Sequence, residues 1–286
     1  DSVGYGQKYS NEIIGKVHRI GNNLGLPGPA LEDTLAGLEE DVKDATGVDV
    51  KFPMDVQGAE VLLITPSADF FAEPHIDSLI GYAKVFHATG TSWTLSSIAS
   101  EAGNFGMFIG NYDQLRKIAL RIRQAALELG VKRIVVGECG HAWRVAYSFW
   151  NTLTGVGDGA DEIDQFAQML QKQLDHRYKQ PTHICEFTWD AIQAGKLKFD
   201  TAKNDKFTIT FHDSCNVARG SRMGDLPGGQ FEIPRNIIKT VANNYVEMAP
   251  GTTHEQTFCC GGGGGLLTDD LMEIRVKGAL PRMEAL

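Results

Sequence analysis

The stretch Phe258-Cys259-Cys260-Gly261-Gly262-Gly263-Gly264-Gly265 constrains this chain more than any other. Adjacent cysteines do not readily bridge each other, because an i,i+1 disulfide strains the backbone. They can instead ligate different atoms of one metal cluster. The glycines behind them carry no Cβ, so the chain can turn tightly and come close to a bulky inorganic core. Their N–H groups can donate to cluster sulfurs and tune a redox potential. The expectation is a metal-bound loop, with Gly261, Gly262 and Gly263 as its backbone cradle.

The rest of the composition narrows the setting. The chain has 286 residues, 42% of them hydrophobic, which is enough for a two-domain body or one larger α/β body. The net charge of −9 and the absence of any Lys/Arg-rich block speak against a nucleic-acid partner. No apolar run approaches the ~20 residues of a membrane span, so a direct span is not expected. Five cysteines, an odd number that includes an adjacent pair, argue against a secreted disulfide scaffold and for a reducing, cytoplasmic setting. The chain opens at Asp1 with no signal-like segment, and reads as a fragment or a processed chain.

Periodicity orders the chain. Residues 1–57 are weakly patterned and read as an arm or linker that packs on a neighbour, with some helical spacing over Ala30–Leu38. Val61-Leu62-Leu63-Ile64-Thr65 suits a buried strand. A helix is predicted over His75–Phe86, then a turn at Gly90 and a short strand at Trp93. Tyr112–Leu129 is the clearest helix, with Leu115, Ile118, Ala119, Ile122, Ala126 and Leu129 on one face and Gly130 as its stop. Arg133–Gly137 is a further buried strand that delivers Cys139 and His141 at its carboxyl end. Residues 154–160 read as a Gly-rich surface loop, followed by helices over Ile163–Leu174 and after Pro181, the latter carrying Cys185. The pattern then restarts. Phe207–Phe211 reads as a strand delivering His212 and Cys215, Pro234 opens a helix at its first turn, Tyr245–Met248 is a short strand, and a helix covers Thr268–Lys277. Strands alternating with helices indicate an α/β fold with parallel sheets, whose ligands sit beyond the strands' carboxyl ends.

The two halves align on a few landmarks. Cys215 matches Ser67, and Cys259-Cys260-Gly261 matches Glu101-Ala102-Gly103. The expectation is two pseudo-symmetric units with short parallel sheets flanked by helices: a degenerate one at 58–150 and a second at 200–286, joined by a helical connection at 151–199.

A lone cysteine, a long gap and Cys-Cys-Gly resemble the CCG cysteine-rich domain family of heterodisulfide reductase-like iron–sulfur subunits. His212-Asp213-Ser214-Cys215 and the Cys259 loop match the family's first two landmarks. The gap between them is longer than the family leads one to expect, and the family's closing Cys-x-x-Cys is not present, so the second unit reads as truncated before it. Gly137-Glu138-Cys139-Gly140-His141-Ala142-Trp143-Arg144 and Thr182-His183-Ile184-Cys185-Glu186 narrow the resemblance to the DsrK branch, from the DsrMKJOP complexes of dissimilatory sulfur metabolism. The resemblance implies an iron–sulfur cluster, [4Fe-4S] and in some members non-cubane, on Cys215, Cys259 and Cys260. Cys139 and Cys185 are further candidate ligands, and each also reads as a buried free thiol.

His212 and His141 are candidate proton carriers beside Cys259 and Cys260. The implied activity is reduction of a sulfur–sulfur bond, a disulfide or trisulfide on a DsrC-like sulfur-carrier protein. The implied electron source is a DsrM-like, quinol-oxidising membrane subunit, which would hold the chain at the inner membrane. Two other readings stand beside it: an electron-relay subunit of a 2-hydroxy-acid oxidase, and a structural zinc or interaction module. Zinc usually takes Cys-x-x-Cys pairs, and this chain has none.

Overall fold

The protein is an α/β fold organised on one parallel sheet. A computed structural model describes residues 7–66, 75–153, 162–174, 178, 181–221, 229–264 and 268–286. In chain order the elements begin with α1 (Gln7–Ile20), α2 (Gly28–Thr46), β1 (Val61–Ile64), α3 (His75–Thr89) and β2 (Trp93–Thr94). They continue with α4 (Asn104–Phe108), α5 (Tyr112–Leu129), β3 (Arg133–Val136), α6 (Gly140–Ser148) and α7 (Trp150–Leu153). Then come α8 (Glu162–Leu174), β4 (Thr182–His183), α9 (Ile184–Gln193), α10 (Gly229–Val241) and α11 (Met272–Glu284).

The strands lie in the order β2-β1-β3-β4, all parallel. Successive side chains of a strand point to opposite faces, and here both faces are covered. Leu62 and Ile64 of β1, with Ile134 and Val136 of β3, pack among α5, α6 and α8. Val61, Leu63 and Val135 pack on the other face against α2, α3 and α9. That two-sided burial is why the strands read as unbroken apolar runs.

Local chemistry sets the element ends. The Asn111 side chain accepts from the Gln114 N–H at 3.2 Å and caps α5, and Gly130 closes that helix with φ of 64°. The face expected of α5 is the one buried. The segment read as an arm packs on this chain's own body. Leu31, Leu35, Leu38 and Val42 of α2 lie against the sheet face that carries Val61 and Leu63.

Three expectations differ from what is found. The helix after Pro181 is preceded by β4, which joins the sheet through Val136 and His183. Two residues are too few to show an alternating pattern. Pro234 lies inside α10 rather than opening it, because the helix starts at Gly229. The strands expected at Phe207–Phe211 and Tyr245–Met248 are reduced, among the described residues, to one parallel bridge between Ile209 and Tyr245. Ile209 N–H donates to Asn244 O and Val246 N–H donates to Ile209 O, both at 2.9 Å. Phe207 and Val246 are exposed, so no second apolar layer extends the pairing. Ser67 and the loop at 154–160 lie outside the described residues. Among the described residues no helix is long and apolar enough to cross a membrane.

Candidate metal centre

The first turn of α6 is the platform on which both thiol-bearing segments rest. Strand β3 ends at Val136, Gly137 N–H donates to Ile64 O at 3.0 Å, and Cys139 then stands at the N-cap of α6. A Cβ on Gly140 would lie 2.8 Å from Ser214 Oγ and 3.0 Å from Val217 Cγ2, so the His212–Cys215 segment packs directly on this turn. Arg144 of α6 donates to Asn216 Oδ1 at 3.3 Å, and Trp143 Nε1 donates to Ser221 Oγ at 3.0 Å. Gly220 N–H donates to Cys215 O at 2.7 Å and closes the turn after the cysteine.

The glycine loop meets the same platform. A Cβ on Gly263 would stand 2.3 Å from His141 Cε1, so the loop backbone lies on the imidazole ring. Gly261 has φ of 73°, and a Cβ there would fall 2.3 Å from Arg275 O on α11. These glycines were expected to allow approach to a cluster. In the folded chain Gly261 and Gly263 allow approach to α11 and to His141, and a Cβ on Gly262 would stand 3.3 Å from Cys260 Sγ. Valine at Gly263 should push the loop off α6 and destabilise the fold by about 1–3 kcal/mol, the usual cost of overpacking. Thermal unfolding of Gly263→Val checks this; an unchanged midpoint would show that the loop does not depend on its seat against His141.

The thiols fall into two environments. Cys259 and Cys260 are exposed and Cys215 is intermediate. Burial raises the Cys215 thiol pKa, and the neighbouring Cys259 and Cys260 raise it further, so the three sulfurs share one neighbourhood. Gly261 N–H donates to Cys259 Sγ at 3.3 Å, and the Asn216 amide donates to Cys215 Sγ at 3.4 Å. Cys139 and Cys185 are intermediate in exposure like Cys215, but they pack against the apolar layers of the sheet. Burial pushes each thiol up to about 12, against the pull of the His141 and Ala142 amides in the case of Cys139. Both lie close enough to the buried Tyr82 for their charge to bear on its hydroxyl. The structure thus joins the Cys215 and Cys259-Cys260 segments, and sets Cys139 at the N-cap of α6 and Cys185 in the first turn of α9, both partly covered.

His212 and His141 flank the trio. His212 Nδ1 lies 3.3 Å from Thr257 Oγ1, and burial together with Arg282 lowers its pKa. His141 stands edge-on to Phe108 with ring centroids 4.9 Å apart, and burial lowers its pKa to about 4. Both imidazoles are therefore neutral near pH 7.

Among the described residues no three of His, Cys, Asp and Glu already form a group able to hold a metal ion. The donor set nevertheless fits an iron–sulfur cluster by its chemistry: thiols at the protein surface, an amide N–H already directed at one of them, and the Arg282 guanidinium near Cys260.

Sequence reasoning found the thiols and missed what holds them. Arg235, 1% exposed, donates to both carboxylate oxygens of Asp213 at 2.6 and 2.7 Å and to Glu247 Oε2 at 2.6 Å. Burial alone would raise the Asp213 carboxyl pKa, but Arg235 and the His254 N–H hold it below its ordinary value. The legible signal was the acid itself, in the His-Asp-Ser-Cys motif at the end of an apolar run. Its partner, Arg235 on α10, had none.

Curated proteins match this chain along its length. It is 37% identical over 300 residues to the Hdr-like menaquinol oxidoreductase iron–sulfur subunit 2 of Archaeoglobus fulgidus, an alignment covering 99% of this chain and 52% of that protein. It is 35% identical over 303 residues to the Hdr-like menaquinol oxidoreductase iron–sulfur subunit of Archaeoglobus profundus, with 99% and 52% covered. Over 175 residues it is 29% identical to a subunit of the dihydromethanophenazine:CoB–CoM heterodisulfide reductase of Methanosarcina barkeri, covering 59% of this chain and 35% of that protein. The chain spans about half the length of the Archaeoglobus relatives it matches. No family model and no solved structure matches it.

Proposed function

The chain belongs to the heterodisulfide reductase-like family of iron–sulfur subunits, and from that premise we propose that it is the catalytic iron–sulfur portion of a membrane-associated oxidoreductase acting on sulfur–sulfur bonds. Cys215, Cys259 and Cys260 would hold the cluster, of [4Fe-4S] or non-cubane type. The observation that carries this reading is their shared neighbourhood at the protein surface, on a loop backed by glycines. Bound there, an iron–sulfur cluster supplies one-electron carriage at a position that a substrate sulfur can reach.

The chain's own residues do the rest. Gly261 N–H stabilises negative charge on Cys259 Sγ. Arg282, 6% exposed, places a cation near Cys260. His212 and His141 border the thiols as neutral imidazoles and serve as hydrogen-bonding and proton-handling groups. Reduction of a disulfide to two thiols consumes two electrons and two protons. We assign the electrons to a quinol-oxidising, DsrM-like membrane subunit and the acceptor to a disulfide or trisulfide on a DsrC-like carrier protein. The names of the Archaeoglobus relatives support the quinol, and that of the Methanosarcina relative supports the sulfur–sulfur bond. On this reading the protein works in dissimilatory sulfur metabolism, on the cytoplasmic side of the inner membrane, and is held there by its partner.

We also read the chain as two related units, 58–150 and 200–286. Gly103, after Glu101-Ala102, has φ of 98° and lies against Leu115 of α5, beyond the short α4 that it caps. Gly261, after Cys259-Cys260, has φ of 73° and lies against Arg275 of its own following helix. Glu101, buried with its carboxyl pushed up to about 7 by that burial, then stands where the second unit has Cys259.

The test is an EPR titration of the anaerobically reconstituted chain with the carrier protein. Oxidised carrier should bind and change the cluster signal. If it does neither while a 2-hydroxy-acid oxidase flavoprotein does, the chain is an electron relay. Zinc in place of iron would overturn both readings.

A further inference from the structure

Cys215 and the Cys259-Cys260 pair come from segments far apart in sequence, so something must set their separation. One buried residue joins both segments, by its carboxylate and by its main-chain oxygen. Asp213 lies two residues before Cys215, and its side chain is fully buried. Its Oδ1 and Oδ2 accept from Arg235 of α10. Its Oδ2 also accepts from the His254 main-chain N–H at 2.7 Å, and its main-chain O accepts from Thr257 Oγ1 at 2.9 Å. Thr257 precedes Cys259 by two residues. Arg235 is held in turn by Glu247 and by Phe231 O at 2.7 Å, so the clamp has a rigid base.

A second observation comes from the backbone. His254 has φ of 54°, a left-handed conformation uncommon outside glycine, and specific contacts hold it there. Those contacts are its N–H on Asp213 and its Nε2, 3.0 Å from Glu232 Oε1 on α10. The approach to the cysteine pair is thus held at His254 by Asp213 and by Glu232, which shares one face of α10 with Arg235.

We infer that Asp213, braced by Arg235 and tied to Thr257 and His254, is the positioning residue that holds the Cys215 turn beside the Cys259-Cys260 loop. This rests on the reading of those three cysteines as cluster ligands. Asp213 is buried beneath the thiol segments and acts through them. Thr257 acts with it, since its hydroxyl is the direct tie and also reaches His212 Nδ1.

The deciding variant is Thr257→Val, which keeps the side-chain shape and removes the tie. The first readout uses the metal-free, reduced chain and needs no cluster. Dibromobimane, which fluoresces when it bridges two thiols, is added to chains carrying Cys260→Ser or Cys259→Ser, and peptide mapping identifies the bridged pair. Thr257→Val should slow bridging from Cys215 to the remaining cysteine about tenfold, the loosening expected from loss of one buried hydrogen bond. Arg235→Lys, which keeps the charge but cannot serve both oxygens of Asp213 and Glu247, should fall between Thr257→Val and the parent. It decides the matter if the valine variant does not fold. The second readout is the EPR spectrum after anaerobic reconstitution with iron and sulfide, which should broaden or change shape in both variants. Parent-like bridging and parent-like spectra in a folded variant would overturn the inference. A parent chain that takes up no iron, while its variants still bridge more slowly, would sink the cluster reading and leave the clamp standing.

Discussion

Serine in place of Cys259 or Cys260, and alanine in place of Cys215, should each abolish stable iron binding while the chain stays folded. Cys259 and Cys260 are exposed, so their replacement removes almost no packing. The Cys215 turn keeps its backbone bond from Gly220 N–H and its packing against Gly140 whatever the side chain. Loss of one thiolate from the proposed cluster site removes a ligand bond, and no group of His, Cys, Asp and Glu able to hold a metal ion stands elsewhere among the described residues. Serine at Cys139 or Cys185 should act in the opposite sense. Both thiols are partly buried against the apolar layers of the sheet, and that burial raises their pKa values to about 12, so their loss should disturb packing and leave iron content nearly unchanged. Iron and sulfide analysis beside circular dichroism separates the two classes. Iron retained by Cys259→Ser or by Cys260→Ser, or lost with Cys139→Ser in a folded chain, would redraw the ligand set.

Methionine at Arg235 should cost about 3–5 kcal/mol of stability, the range for removing one partner of a buried ion pair. Arg235 and Asp213 are both essentially inaccessible, and the substitution leaves the Asp213 carboxylate in the interior without its cation. The pH dependence carries a further sign. In the parent, Asp213 is held below its ordinary pKa, and Arg235 and Tyr245 overcome burial to bring Glu247 down to about 2. Depressed carboxylates contribute stability that is fully present above the unfolded-state value, 4.5 for a glutamate, and is lost as the pH falls towards 2. The parent should therefore weaken through that window. Arg235→Met should weaken less steeply there, because protonation relieves its stranded carboxylate. Denaturant titrations at a series of pH values measure both. Parallel stability profiles for parent and variant would show that the pair does not hold the site.

The difference between what was legible and what was not follows sequence distance. The apolar face of α5 and the buried runs of β1 and β3 were readable because periodicity is a property of neighbouring residues. β4 was not, because two residues carry no period and their place in the sheet comes from pairing with β3. The expected strands around Ile209 and Tyr245 had the composition of strands, but their flanks are exposed and only one bridge forms. The role of Pro234 was misread because a proline near a helix start is compatible with several starts, and the preceding Gly229–Ile233 turn follows the packing of α10 on α9.

The candidate site divides in the same way. By itself the sequence determined the chemistry on offer: an adjacent thiol pair, the glycines that let its loop turn, a third thiol after an apolar run, and a resemblance that assigned them to one family. Those are properties of residue type and short spacing, and they survive any arrangement of the rest. Only the tertiary structure decided that α6 would seat both thiol segments, that Gly263 would give way to an imidazole, and that Cys139 and Cys185 would be partly covered while Cys259 and Cys260 stay exposed. It alone joined Asp213 to Arg235, His254 and Thr257. A buried charge can be tolerated only where its partners meet it in space, and no local pattern records which distant residues those will be.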